Sequence, residues 1–154
     1  MSRNGFSHHL RIVQITLHTD YALRLLIYLV ARPGQNVSTR EIAEHYGISV
    51  EHLIKVAKSL TQGRWLIASR GIGGGLRLAD HTPEARIGDI VRHTENTDLT
   101  ECFDSRTNTC PIHRCCQLKP ILHEARQAFF EVLDSYRVKD LARRRGELMQ
   151  RSTG

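Results

Sequence analysis

Apolar residues recur at intervals of three and four along several segments of this chain. The first of these segments ends at Arg32-Pro33-Gly34 and carries apolar side chains at Ala22, Leu25, Leu26, Leu29 and Val30. This spacing predicts an amphipathic helix. Thr19 is its predicted N-cap, and Asp20 lies in the first turn, where the helix dipole favours a negative charge.

Two shorter helices are predicted after it. Ser38 and Glu41 have the spacing of a capping box that begins the first, and Gly47 ends it. Ser49 caps the second, which extends to about residue 62 and has apolar positions at Leu53, Val56, Ala57 and Leu60. Two helices joined by a short turn with a glycine are typical of a helix-turn-helix. An ordinary helical hairpin in a bundle has the same pattern.

The segment after these helices favours the DNA-binding interpretation. Strand-like residues 65–68 and 76–78 flank the glycine-rich residues 69–75, and a β-hairpin in this place is the arrangement of a wing. A nucleotide-binding glycine loop would require a helix after the glycines, whereas a strand follows here. We therefore predict a mainly α-helical winged helix-turn-helix domain with a two-stranded β wing over residues 16–95.

The C-terminal part has a second amphipathic pattern. It predicts a helix over residues 117–136 with a wide apolar stripe at Leu118, Ile121, Leu122, Ala125, Phe129, Val132, Leu133 and Tyr136. Such a helix is typical of a dimer interface, and packing on its own domain is the alternative. We place the dimerisation helix and a short terminal helix at residues 118–145, a polar tail at residues 146–154 and an N-terminal extension at residues 1–15.

Composition narrows the classes of function. The 154 residues are 40% hydrophobic, and the longest apolar run, residues 22–31, already contains Arg24, so we expect no membrane span, no secretory signal and a cytoplasmic location. The net charge is +6, which suits a polyanionic partner. No nucleophile–base pair or pair of carboxylates indicates an enzyme. Double-stranded DNA is the predicted partner, contacted by Ser38, Ser49, His52, Lys55, Lys58, Ser59, Arg70, Gly73, Gly74 and Arg77.

All four cysteines lie within residues 101–119, in a predicted ligand loop over residues 96–117. In a reducing cytoplasm, clustered cysteines bind metal more often than they form disulfides. A disulfide-bonded loop, a zinc site and an iron–sulfur cluster all stay open. Zinc sites usually carry paired Cys-x-x-Cys motifs, and none occurs here, whereas the ligands of an iron–sulfur cluster reach different irons and tolerate wider spacing.

Four segments together resemble a known family. They are TDYALR (residues 19–24), STRE (38–41), RGIGGGLRL (70–78) and IGDIVR (87–92), and they precede cysteines and a long helix. These segments are similar to the dimeric winged-helix regulators that include IscR and NsrR, and the resemblance covers residues 13–141. It implies a homodimer on a palindromic operator and an iron–sulfur cofactor, with [4Fe–4S] preferred over [2Fe–2S].

The same resemblance implies a ligand set. Cys102, Cys110 and Cys116 would be ligands, with Asp20 of the partner subunit as the fourth and Cys115 as an alternative. The seven residues between the first two cysteines make a longer gap than the family pattern has. IscR-type members place a histidine ligand at the position of Lys119, so the resemblance favours the nitric-oxide-sensing repressors of the family. A sensor of iron or redox state and a zinc-stabilised regulator remain the alternatives.

The family sequences usually start near Val13 of this chain. Because valine codons can serve as bacterial starts, we predict that translation begins there and that residues 1–12 are not translated. An intact mass that begins at Met1 would contradict this prediction.

Overall fold

The structure, a computed structural model, describes residues 14–142. Most of the predicted extension, the end of the terminal helix and the tail lie outside this range. The described elements are α1 (Leu17–Val30), α2 (Thr39–Tyr46), α3 (Val50–Gln62), β1 (Leu66–Ser69), β2 (Gly75–Leu78), α4 (Ile87–Thr94) and α5 (Leu118–Asp134). Short 3-10 helices occupy Thr82–Glu84, Glu101–Phe103 and Val138–Ala142. The mainly α-helical class with a two-stranded wing is therefore confirmed.

Helix α1 begins earlier than predicted, and the prediction of Thr19 as its cap is wrong. The cap is Thr16, whose Oγ1 accepts a hydrogen bond from the Thr19 backbone N–H at 3.3 Å. Thr19 is fully buried, and its hydroxyl donates to Glu95 Oε2 at 2.9 Å. The Thr19 hydroxyl, which the local pattern predicts to cap the helix, is thus bonded to a residue 76 positions away in sequence.

Helices α2 and α3 have the predicted caps. Ser38 Oγ accepts from the Glu41 N–H at 3.1 Å, and Gly47 ends α2 with φ 63°, a conformation that is costly for residues with a Cβ. Ser49 caps α3. The apolar face of α3 packs on α1 and α2, and its fully or almost fully buried side chains are Leu53, Val56 and Leu60.

The wing is an antiparallel hairpin in which Leu66 pairs with Leu78 and Ser69 with Gly75. Val37, just before α2, joins its edge. The Leu76 N–H donates to the Val37 carbonyl at 2.7 Å, and the Leu76 carbonyl accepts from the Val37 N–H at 2.9 Å. The hairpin is thereby attached to the helical core at its base.

Helix α5 packs on α4 along one narrow strip, where Phe130 contacts Ile87 and Val91. Arg92 of α4 binds both carboxylate oxygens of Asp134, at 2.9 and 2.7 Å. A side chain at Gly88 would overlap that carboxylate, so the glycine allows the two helices to approach. None of the described helices is long and apolar enough to cross a membrane.

Candidate functional site

The outward face of α3 is the centre of the candidate DNA-binding surface. Ser49 and Gly47 set where the helix begins, and the buried residues set which face turns inward. The side chains left exposed on α3 are Glu51, His52, Ile54, Lys55, Lys58 and Gln62. Three of the predicted contacts, His52, Lys55 and Lys58, are therefore free to meet DNA.

Three residues on this surface, Glu51, Ile54 and Gln62, were not predicted as contacts. The Ser49 hydroxyl donates to Glu51 Oε2 at 2.7 Å, and this bond holds the pKa of the Glu51 carboxyl below its usual range. In sequence, Glu51 has the pattern of an ordinary first-turn carboxylate. Ile54 is apolar but does not share the spacing of the buried residues of α3. In the sequence, this is the feature that indicates an exposed apolar side chain.

Ser59 differs from the other predicted contacts on α3. It is half-buried, and His93 Nε2 lies 2.9 Å from its carbonyl oxygen and 3.4 Å from its Oγ. Ser59 thus faces α4, and the structure connects the C-terminal turn of α3 to the last turn of α4.

In the wing, Arg70 is exposed directly before the tip. Arg77 lies on β2 opposite Ile67, and its guanidinium is 3.5 Å from Asp80, so it belongs to the base of the hairpin. The tip is held by Asn36, whose side-chain amide donates to the Gly73 carbonyl at 3.1 Å.

The wing glycines have two different roles. A Cβ at Gly73 would meet nothing within 4 Å, and its φ is +75°. A Cβ at Gly74 would collide with the Ser69 carbonyl, and one at Gly75 would lie 2.6 Å from the Val37 carbonyl. Gly74 is thus required by the packing of the hairpin itself and Gly75 by its contact with Val37, whereas a side chain at Gly73 would meet only open space.

The cysteine loop joins α4 to α5 and contains four free thiols. Cys102, Cys110 and Cys116 are half-buried, whereas Cys115 is exposed. Cys102 Sγ lies 3.0 Å from the Thr100 hydroxyl. The loop is built largely from local bonds, such as the one from the Cys110 N–H to Asn108 Oδ1 at 3.1 Å.

These thiols fit an iron–sulfur cluster by the chemistry of the donor set, since three of them lie in one partly exposed loop. They are not assembled around a single point. Between residues 14 and 142, no three His, Cys, Asp or Glu side chains lie close enough together to hold a metal ion. The ligands of an iron–sulfur cluster reach different irons, so they need not converge on one point as the ligands of a single metal ion do.

Asp20, the predicted fourth ligand, has a partner in the same chain. Arg24 Nε donates to one carboxylate oxygen at 3.1 Å, and its Nη2 approaches the other at 2.8 Å. The neighbouring Thr16 and Thr19 bind Glu95, at the end of α4. Burial raises the pKa of the Glu95 carboxyl, and the hydrogen bonds from Thr16 and Thr19 outweigh it, so the pKa is lowered overall.

Helix α5 presents most of its predicted stripe to solvent. Phe130 is its one buried residue. The exposed large apolar side chains are Leu118, Ile121, Phe129 and Val132, with Tyr136 beyond its end. Beside them is a largely apolar cavity of about 360 Å³ lined by residues that include Ile15, Leu99, Leu122 and Phe129. The alternative in which the whole stripe packs on its own domain does not describe this chain.

Comparison with known proteins identifies the family. The family model Rrf2, described as an iron-dependent transcriptional regulator, matches residues 15–144. The chain belongs to the Rrf2 family. It is similar to the HTH-type transcriptional regulator NsrR of Shouchella clausii (strain KSM-K16), with 44% identity over 131 residues that cover 84% of this chain and 88% of that protein.

Other regulators are similar to this chain in sequence or in structure. NsrR of Bacillus subtilis (strain 168) is 42% identical over 140 residues, which cover 90% of this chain and 96% of that protein. The structure of CymR (YrzC), described as the global cysteine regulator of B. subtilis, superposes with a TM-score of 0.65 at 26% identity, covering 85% of this chain and 97% of that one. T. potens IscR has a TM-score of 0.68 at 23% identity, covers 84% and 85%, and shows the fold alone.

These matches confirm the resemblance read from the sequence and the winged-helix fold. The Rrf2 family consists of transcriptional regulators. The chain is accordingly a DNA-binding transcriptional regulator and not an enzyme.

Proposed function

We propose that this Rrf2 protein is a nitric-oxide-responsive repressor that binds an inverted-repeat operator as a homodimer, with a DNA affinity set by an iron–sulfur cluster. One observation carries the proposal. Three half-buried free thiols lie in the loop between α4 and α5, in a chain 44% identical to a protein named NsrR.

Helix α3 would lie in the major groove, because its exposed face carries Lys55, Lys58 and His52. Arg70 at the wing would contact phosphate or the adjacent minor groove. Ser38, exposed at a helix start, would donate a further hydrogen bond to a phosphate. Ser49 would do the same once its hydroxyl releases Glu51 Oε2. Gly73 has the space for close backbone approach that Gly74 lacks.

Cys102, Cys110 and Cys116 would hold the cluster, with Cys115 as the alternative ligand. The greater exposure of Cys115 supports this choice, since the half-buried thiols are shielded from competing solvent. When bound, the cluster supplies iron atoms, which bind nitric oxide strongly. We favour [4Fe–4S] over [2Fe–2S] on the family resemblance.

Asp20 of the partner subunit is the proposed fourth ligand. In the structure, Arg24 of the same chain binds both carboxylate oxygens of Asp20. Ligation would therefore require Asp20 to leave or share Arg24. The exchange makes the fourth ligand a weak one, and we expect it to be the first to be released.

The exposed stripe of α5 is the proposed dimer contact. If α5 had no partner, a large apolar area would stay in contact with water, which is unfavourable. This area belongs to Leu118, Ile121, Phe129 and Val132. Two-fold pairing through this stripe would place two α3 helices on symmetric half-sites about one DNA turn, or a multiple, apart.

The last turn of α4 offers a route from the loop to the DNA surface. Arg92 binds Asp134 of α5, and His93 contacts Ser59 of α3. Closing or opening the loop would shift this turn, and through His93 the end of α3. Coupling free energies of about 1–3 kcal/mol are typical and correspond to changes of about five- to 150-fold in DNA affinity.

Anaerobic purification tests the cofactor. We expect a coloured protein with matching iron and sulfide, and loss of the colour in Cys102→Ser, Cys110→Ser and Cys116→Ser. Cys115→Ser is the matched control and should retain it. A colourless protein with stoichiometric zinc would contradict the proposal and support the zinc-stabilised alternative.

A titration with nitric oxide tests the effector. Operator binding, followed anaerobically by gel shift, should fall as nitric oxide is added to the cluster-loaded dimer. If the protein instead releases the operator only on iron removal or oxidation, it is a sensor of iron or redox state.

A further inference from the structure

One apolar side chain stands in the middle of the proposed DNA surface. Every residue of α3 lies in the described part of the chain, and Ile54 is the single apolar residue among the six that are exposed. It is 53% exposed, whereas the apolar residues Leu53, Val56 and Leu60 of the same helix are buried.

The helix geometry puts Ile54 at the centre of the outward face. Residues three and four apart share a side of a helix, so Ile54 lies between Glu51 and Lys58. Lys55 follows it directly, and all three neighbours are exposed and charged. A lone isoleucine surrounded by charges is too small a patch to dock a protein.

The major groove contains a matching apolar group. Among the base edges there, thymine alone presents a methyl group, at C5. Isoleucine is β-branched and stiff at χ1, so that little side-chain entropy is lost when it packs on such a group. The surrounding lysines supply the phosphate contacts that would hold α3 in place.

We propose that Ile54 determines part of the operator specificity by packing on a thymine C5 methyl in the major groove. This inference rests on the proposed function, because it requires α3 to bind operator DNA. It assigns to Ile54 a preference for thymine within each half-site.

The test uses the full-length protein and a duplex obtained by in vitro selection with the wild type. Each half-site thymine is replaced in turn by deoxyuridine, which removes only the methyl group. The substitution should raise the wild-type Kd about fourfold per half-site at one thymine or at two adjacent ones. This factor corresponds to about 0.8 kcal/mol for one buried methyl-sized group. Thymines outside the half-sites should show no change.

Ile54→Ala should bind the thymine duplex more weakly and should no longer distinguish thymine from deoxyuridine. The substitution is at an exposed helix position and alanine favours helices, so the fold should persist, which thermal unfolding checks. Ile54→Val retains a branched apolar side chain and should keep part of the discrimination.

Two results would overturn the proposal while the regulator still binds DNA. Either no half-site thymine is sensitive to loss of its methyl, or the sensitive thymine stays equally sensitive in Ile54→Ala. A selection that returns no sequence, with no salt-dependent binding to any duplex, would overturn the proposed function as well.

Discussion

From α1 to α4, the winged-helix half buries side chains from each of its helices, and Leu25, Leu53 and Ile90 are fully inaccessible. From residue 92 to residue 137, by contrast, the described chain buries only Phe130. The first half has its own core, with caps at Ser38 and Ser49. The second half contains the thiols and an apolar stripe that remains in water.

This difference indicates a division of labour. A surface that reads DNA must keep one shape, which a dense core provides. A segment that switches must lie at the low-stability end of the molecule, where opening requires little free energy. On the proposed function, the cysteine loop and the exposed stripe of α5 are the parts that a partner subunit and a cluster would stabilise.

The largest expected effect on stability is in the winged-helix half. Leu53→Ala should lower the free energy of unfolding by about 2–5 kcal/mol, because it leaves a cavity in a core that cannot fully collapse. Urea denaturation followed by circular dichroism measures this. Lys55→Ala, on the exposed face of the same helix, is the control and should change it by no more than about 0.5 kcal/mol. Equal effects would remove the contrast between core and surface.

In the second half, a charge on the stripe should change assembly rather than folding. Val132→Asp should convert the dimer to monomer, because a carboxylate would be buried without a partner at the proposed interface. Size-exclusion chromatography with light scattering shows the change. Gln127→Asp introduces the same side chain five positions earlier, on a different face of α5, and should leave the dimer intact. If both variants or neither dissociates, the stripe is not the interface.

DNA contacts should contribute to binding without contributing to the fold. Lys58→Ala should weaken operator binding and reduce the slope of log Kd against log salt by about one, as expected for one lost phosphate contact. Fluorescence anisotropy at several salt concentrations measures the slope. Lys139→Ala removes the same charge where Lys139 is paired with Glu84 at 2.7 Å, and its slope should match the wild type. An unchanged slope in Lys58→Ala would exclude a phosphate contact at that residue.

The smallest expected effect is at the docking of α5 on α4. The hydrogen bonds from Arg92 hold the pKa of the Asp134 carboxyl below its usual range. The resulting stabilisation is present above the ordinary carboxyl pKa of about 3.9 and is lost as the pH falls through the lowered folded-state pKa. Asp134→Asn should remove it, by about 0.2–1 kcal/mol because the pair is partly exposed.

Unfolding free energies of the wild type and Asp134→Asn, measured from neutral pH to acid, check this. The two curves should differ at neutral pH and converge in acid. Curves that stay parallel would show that Arg92 and Asp134 are not coupled.

The sequence by itself determined α2 and α3, their starts at Ser38 and Ser49, the stop at Gly47 and the hairpin after α3. These features depend on side chains within a few residues of one another, so local spacing is sufficient to predict them. The apolar stripe of α5 is predicted equally well, because the periodicity along one helix does not depend on the elements packed around it.

Only the tertiary structure decided which of the possible roles each polar or small residue takes. Thr16, and not Thr19, caps α1, because the Thr19 hydroxyl is bonded to Glu95 at the end of α4. Gly75 lies against the Val37 carbonyl, and Ser59 faces His93. Ile54 lies on the outward side of α3, whereas Leu53, Val56 and Leu60 fill the core. Each of these outcomes is set by contacts between residues distant in sequence, which local pattern does not contain.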